Sequence, residues 1–317
     1  MATELKDRIK TGLDETRMIV LVVQVLIGFG FRGAFEPRCT QLPPTAQILK
    51  LVSLALLIVA LAMLLAVPAY HRIASNGHNT VTCEGVLKRL LWTALLPFAA
   101  ALGIDVALAA FVLLGPVGAL AVGTGTAGLA LFCWYGVEEI RRRSHPPHAK
   151  QNMNEETKPT PLDEKIKQLL TECRIVLPGT QAFLGFQLSA FLTEAFGKLS
   201  RPDQLTHLAA LILVAISGIL LMTAPAYHRI AEEGQMTRHF LRLGSRLLLA
   251  AMIPLALGIS LDFYVVISKV TAQPVLAFVC AALACATFAG FWFVFPLLRR
   301  GESSGRRTSE QAVAHAS

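Results

Sequence analysis

Charge is scarce in this chain. Asp, Glu, Lys and Arg make up only 16% of its 317 residues, against about 25% in ordinary soluble domains. A disordered segment needs high charge and low hydrophobicity, so that class is excluded. The six cysteines form no C-x-x-C pair and have no histidine at zinc-site spacing, which argues against a dithiol redox centre or a structural zinc site. Cys133, Cys280 and Cys285 fall inside apolar runs and are expected to act as small hydrophobes. Strand-like alternation is missing, which excludes a membrane β-barrel. So are the phosphate loop, the nucleophile elbow, the H-E-x-x-H helix and the dinucleotide fingerprint. The glycine-rich stretch Gly123 to Gly128 lies within an apolar block and is no phosphate loop. The sequence therefore offers no catalytic set and no metal ligands, and implies no cofactor; a non-enzymatic protein is expected.

What is present is apolar. Hydrophobic residues make up 54% of the chain, the mean hydropathy is +0.56 and the net charge is +8. That combination describes membrane spans with basic edges. The opening MATELKDRIKTGLDETR carries both signs of charge. This is unlike a signal-peptide n-region, so the first apolar block is expected to be retained as a span.

An internal repeat organises the rest. Pro68-Ala69-Tyr70-His71-Arg72-Ile73-Ala74 recurs unchanged as Pro225-Ala226-Tyr227-His228-Arg229-Ile230-Ala231, an offset of 157 residues. The same offset, without a gap, pairs Glu15 with Glu172, Gln24 with Gln181, Gly28 with Gly185, Arg89 with Arg246, Pro97 with Pro254 and Asp105 with Asp262. The chain reads as a tandem duplication. Residues 1–143 form the first membrane repeat and 161–300 the second. A polar, Pro-containing linker spans 144–160, and a small, polar, disordered tail spans 301–317.

Each copy contains four apolar blocks of about 20 residues, the length of a membrane-crossing helix. They lie near 18–35, 48–69, 90–113 and 115–136, and near 175–196, 205–226, 247–268 and 274–297. The expected fold is all-α: eight transmembrane helices as two parallel four-helix repeats, since four spans return the chain to the side it left. Of the 29 basic residues, 23 fall in the segments on one side. The positive-inside rule then puts both termini in the cytoplasm. The stripes Leu5-Ile9-Leu13 and Leu162-Ile166-Leu170 are expected to be short helices on the inner surface.

Three groups of residues stand out. Tyr70, His71 and Arg72, with Tyr227, His228 and Arg229, end the second helix of each copy just past a proline expected to bend or stop it. They read either as an aromatic and basic interfacial anchor or as a site for an anionic head group. A haem or metal shared by His71 and His228 is disfavoured, because one histidine per copy is read near a span end, none is read mid-bilayer, and no carboxylate stands at the spacing of a supporting partner. Asp105 and Asp262 are carboxylates inside apolar blocks, a costly placement that marks a candidate site. Asp105 lies about 22 Å along its helix, level with Arg32. An Arg32–Asp105 pair is expected, either as a helix staple or as part of an ion site; Asp262 would turn to Lys269, Gln187, Ser189 or water. Finally, Ala119/Gly123, Ala121/Gly125 and Ala277/Ala281/Cys285/Ala289 form small-residue stripes suited to packing between copies or in a homo-oligomer. The partners expected are membrane lipids, including anionic head groups at the cytoplasmic face, and no nucleic acid.

Two stretches carry a resemblance. They are Glu172-x-Arg174-x-x-Leu177-Pro178-Gly179-x-Gln181 followed by Gly185-Phe186-Gln187-Leu188, and Ala224-Pro225-Ala226-Tyr227-His228-Arg229-Ile230. Together they resemble a family of uncharacterised bacterial four-helix integral membrane proteins, of which this chain looks like two fused in tandem. Copy one departs from the pattern, with Leu21, Val22 and Val67 in place of Pro178, Gly179 and Ala224. The resemblance implies residence in the bacterial plasma (inner) membrane and supplies no activity. The sequence thus points to a membrane binding or scaffolding unit, with a small transporter or channel using Asp105 and Asp262 as the alternative.

Overall fold

A computed structural model of the chain describes residues 2–36, 42–75, 77–78, 80–136, 160–230 and 236–300. The expected linker and tail fall outside these, apart from Thr160. The described residues are helical, with no strand among them. In chain order they form α1 (Ala2–Ala34), α2 (Pro44–Ile73), α3 (Val81–Leu131), α4 (Leu162–Ala190), a short α5 (Glu194–Gly197), α6 (Arg201–Ile230), α7 (Arg238–Thr271) and α8 (Pro274–Ala289). A π-helical turn follows α3 at Phe132–Gly136 and another follows α8 at Gly290–Val294.

Local signals repeat with the sequence. Thr80 and Thr237 occupy equivalent positions; each hydroxyl accepts from the main-chain N–H three residues on and caps α3 or α7. The turn between third and fourth spans needs one left-handed residue. Copy one supplies Gly115 at φ 70° and copy two supplies Ala272 at φ 55°, equivalent positions although only the first is glycine. Pro68 and Pro225 do not stop their helices, which run on to Ile73 and Ile230. Packing against neighbours lets apolar helices absorb an internal proline. The extra turn keeps His71 and Arg72 on a rigid element.

Among the described residues, seven stretches are long and apolar enough to cross a membrane: Ile9–Ala34, Pro44–Ile73, Val81–Phe111, Leu114–Tyr135, Arg201–His228, Arg238–Thr271 and Pro274–Arg300. The protein is built as a multi-pass membrane protein. Helix α4 is long enough but more polar, since Glu172, Arg174, Gln181 and Gln187 interrupt its apolar residues. The stripes expected to lie on the membrane surface do not form separate helices. They are the first turns of α1 and α4, with Ile9, Leu13, Ile166 and Leu169 wholly buried.

The copies meet through their first helices, α1 against α4. The contact is close because two glycines allow it. A Cβ on Gly28 would come within 2.0 Å of the Phe186 ring, and one on Gly179 within 1.4 Å of the Gln24 amide oxygen. Copy two then reaches across with its C-terminal helix. The Trp292 indole N–H donates to the Ala62 carbonyl at 2.9 Å, and Phe295 lies 5.7 Å from the Tyr70 ring. Helix α2 is therefore central, with 56% of its apolar window buried against 28% for its counterpart α6. The small residues of copy one serve a more local purpose than expected. Gly123 and Ala127 seat against Gly103 and Ala107, joining third to fourth span within the copy. Of the three cysteines read as small hydrophobes, Cys133 is exposed and Cys280 and Cys285 are half-buried; among the described residues Cys83 and Cys173 are the buried ones.

Candidate functional site

Two polar clusters interrupt the apolar body, one toward each end. The first is built around Glu172, nearly three turns into α4 and fully buried. Both partners come from the other copy, at the end of α2. The His71 Nδ1–H donates to Glu172 Oε1 at 2.5 Å. Arg72 donates to Oε2 through Nε at 2.8 Å and Nη2 at 2.6 Å. Its remaining nitrogen, Nη1, reaches the Ser245 hydroxyl on α7 at 3.4 Å. The carboxylate thus accepts three charge-assisted bonds, strong enough to hold charge in a dry site. His71 Nε2 is buried and has no hydrogen-bond partner. The fixed tautomer, with its proton on Nδ1, follows from Glu172 being able only to accept.

The equivalent arrangement with copies exchanged is not built. Glu15, the counterpart of Glu172, is exposed. The His228 ring lies 4.6 Å from that of Phe240, tilted by 45°, and its Nε2 is buried without a partner. Tyr227 lies 6.2 Å from the His239 ring; the Arg229 side chain lies outside what the structure describes. In copy one the Tyr-His-Arg motif therefore serves as a clasp between copies. Sequence reasoning aligned Glu15 with Glu172 but left the motif's partner unassigned. Glu172 and Arg72 stand 100 residues apart, so no local pattern in the sequence joins them.

Just outside this clasp, basic groups gather. The Lys165 ammonium lies 2.9 Å from His78 Nε2. Burial first, then the charges of Arg72 and Arg238, push the Lys165 pKa down. Gly77, with φ 69°, lets the chain pass between Arg72 and Lys165.

The second cluster lies toward the other end, where α4 finishes, α6 begins and α7 nears its last turns. Asp262 is 2% exposed. The Gln187 amide donates to its Oδ2 at 2.7 Å, and His207 Nδ1 lies 2.7 Å from its Oδ1. His207 Nε2 faces the Gln187 main-chain oxygen at 3.2 Å. Rings of Phe35, Phe191 and Phe196 surround the imidazole at 5.0–6.0 Å. A small cleft between α1 and copy two opens beside the cluster, lined by Phe31, Arg32, Phe35, His207 and Asp262 among others.

Copy one holds a related pair. The Lys50 ammonium donates to Asp105 at 2.9 Å, half-buried. The expected Arg32–Asp105 pair does not form. Arg32 is bonded instead to Glu36, one turn on at its own helix end, because Lys50 on the adjoining α2 reaches Asp105 first. Of the partners expected for Asp262, Gln187 is present. Lys269 instead donates to the Ala34 carbonyl and sits over the Phe35 ring. Sequence reasoning missed His207 and Lys50. The repeat offset that aligned Asp105 with Asp262 also aligns Lys50 with His207, and a search for a cation beside each aspartate would have found both. Among the described residues no three His, Cys, Asp or Glu side chains are placed to hold a metal ion.

The duplication has a counterpart among known families. A model described as a family of unknown function, DUF6328, matches the chain twice, over residues 3–138 and 155–296. The chain belongs to the DUF6328 family. Each match covers one structural repeat, so this DUF6328 protein carries its family's unit in tandem. The Glu172 clasp lies between the two units. Nothing among curated proteins or solved structures matches this DUF6328 chain.

Proposed function

We propose that this protein is a non-enzymatic binding or scaffolding unit of the bacterial plasma membrane. It would cross the bilayer eight times, with α4 as the eighth span, and both termini would lie in the cytoplasm. Its basic face would bind anionic lipid head groups. The polar character of α4 supports its inclusion, since it lies between α1, α6 and α7 and meets other protein rather than lipid.

One observation carries the reading. Lys165, from copy two, feels the charges of Arg238 and of copy one's Arg72 where the two units meet, with His78 beside it, while both oxygens of Glu172 are taken up by His71 and Arg72. Positive charge from both copies at the end of the spans attracts phosphate-bearing head groups. The Tyr-His-Arg motif contributes by fixing that junction, and its second copy, at Tyr227, His228 and Arg229, stands at the equivalent helix end. A homo-oligomer would draw on the exposed end of the α8 small-residue stripe at Ala289, since Ala277 at its start is already buried within the chain. Lysine and arginine at the junction can be tested together. The Lys165→Ala, Arg238→Ala double variant, purified in native membrane discs, should retain several-fold less anionic lipid by native mass spectrometry, with zwitterionic lipid unchanged. Equal retention of anionic lipid would defeat the proposal.

A second reading, a small transporter or channel using Asp105 and Asp262, has a specific observation in its favour. Asp262 is a buried carboxylate within a span and lines a cleft with Arg32. Asp262→Asn in proteoliposomes should abolish cation or proton flux on this reading; a protein with no flux to abolish excludes it.

A further inference from the structure

We infer that His207 is a proton-binding site, a titratable version of the fixed lysine–aspartate pair in copy one. The inference takes its residues from the transport reading, yet proton binding can hold in a protein that moves nothing across the membrane. A flux measurement and a protonation measurement therefore fail separately.

Hydrogen-bond accounting at the imidazole carries the argument. Both ring nitrogens face acceptors: Nδ1 faces a carboxylate oxygen at 2.7 Å, and Nε2 faces a main-chain carbonyl at 3.2 Å. A neutral imidazole has one N–H and one lone pair, so one of these contacts would set lone pair against lone pair. Only the imidazolium donates to both. Asp262 cannot relieve the conflict by rotating, because its other oxygen already accepts from Gln187.

Helix geometry selects the same form. Gln187 lies in the last turn of α4, which ends at Ala190. Carbonyls of a last turn lack helical donors and carry the negative end of the helix dipole. A cation at that position caps the helix and complements the dipole. Tilted aromatic rings from Phe35, just past α1, and from the segment around α5 enclose it and keep water away.

The repeat supplies an independent observation. Position 50 of copy one corresponds to 207 of copy two, and Asp105 to Asp262. Copy one places Lys50, a permanent cation, on Asp105. Both copies thus build a slot for positive charge between second and third helix. Copy two fills it with the side chain whose charge changes near neutral pH. Loss of that proton would leave one N–H for two acceptors: it stays on Nδ1 beside the carboxylate, and the Gln187 carbonyl at the end of α4 then faces a lone pair instead of a donor.

Other charged groups near the imidazole are engaged or exposed. On α1, Arg32 is paired with Glu36; on α7, Lys269 is bonded to the Ala34 carbonyl; on α5, Glu194 is exposed; on α6 itself, Asp203 is half-buried and accepts from the Ser200 hydroxyl. Helix α4 contributes Gln187, which is uncharged.

The test is ring-nitrogen NMR of histidine-labelled full-length protein in lipid nanodiscs, with His207 assigned by comparison with His207→Lys. Between about pH 5 and about pH 9, His207 should be doubly protonated at the acid end and lose one proton in a single step. Asp262→Asn should raise the proton concentration needed for that step at least about tenfold, because the opposite charge has gone. His207→Lys should fold, since lysine occupies the same slot in copy one, and should lose the step. A His207 that is neutral throughout the range, or charged throughout it, overturns the inference. So does a step left unmoved by Asp262→Asn.

Discussion

The two copies share a sequence pattern but differ in what surrounds it. In copy one, α2 is a central helix, covered by α1, by α3 and by the C-terminal helix of copy two. Its histidine and arginine are locked onto Glu172. In copy two, α6 is a peripheral helix, its histidine bears an unpartnered buried nitrogen, and the carboxylate that would meet it, Glu15, faces outward. At the opposite end the contrast reverses. There copy one has the less buried pair, Lys50 with Asp105, and copy two the buried one, His207 with Asp262. A pair of identical units related by symmetry must make each contact twice. Fusion into one chain removes that requirement, so each unique contact could be kept once and its twin lost.

The sharpest way to break the comparison is at the clasp. Glu172→Gln should destabilise the protein by about 3–5 kcal/mol, because it strands a buried guanidinium. Glu15→Gln, at the exposed counterpart, should change stability by less than about 0.5 kcal/mol. Thermal unfolding of both variants in the same detergent checks the difference. If the two behave alike, the clasp is not asymmetric.

A smaller effect is expected at the crossing of α1 and α4. A methyl on Gly28 collides with the Phe186 ring, whereas one on Gly185 meets nothing within 4 Å. Gly28→Ala should therefore cost about 1–3 kcal/mol, while Gly185→Ala is neutral or slightly stabilising, since alanine is the better helix former. Denaturant titration of each variant resolves the pair. Next comes the C-terminal helix. Trp292→Phe removes the bond to the Ala62 carbonyl and should cost about 0.5–1.5 kcal/mol in unfolding free energy.

The smallest effect concerns the two cation slots. Lys50→His should weaken its pair with Asp105 only at pH values where the imidazole is uncharged. Because that pair is partly exposed, the change should be no more than about 1 kcal/mol, seen as a small new pH dependence of the melting temperature.

Much of this was legible in the chain itself. Apolar runs of span length, proline and glycine positions and the unbroken 157-residue offset set the helices and the duplication. The same offset marked Asp105 and Asp262 before any coordinates. The expectation failed over partners. Arg32 was matched to Asp105 by depth along a helix, but depth says nothing of the direction a side chain takes around it. Lys50 lies on the helix that adjoins α3 and so reaches the carboxylate. The clasp was unreadable for a related reason: Glu172 and Arg72 stand 100 residues apart, and no local pattern links them.

The sequence by itself determined that this is a duplicated, all-helical membrane chain, since periodicity, length and repetition are properties of neighbours along a chain. Only the tertiary structure decided that the copies are unequal. Which carboxylate is buried, which histidine is clasped and which cation slot is closed depend on which faces of nearly identical helices meet, and side-chain direction around a helix axis is fixed by packing rather than by order in the chain.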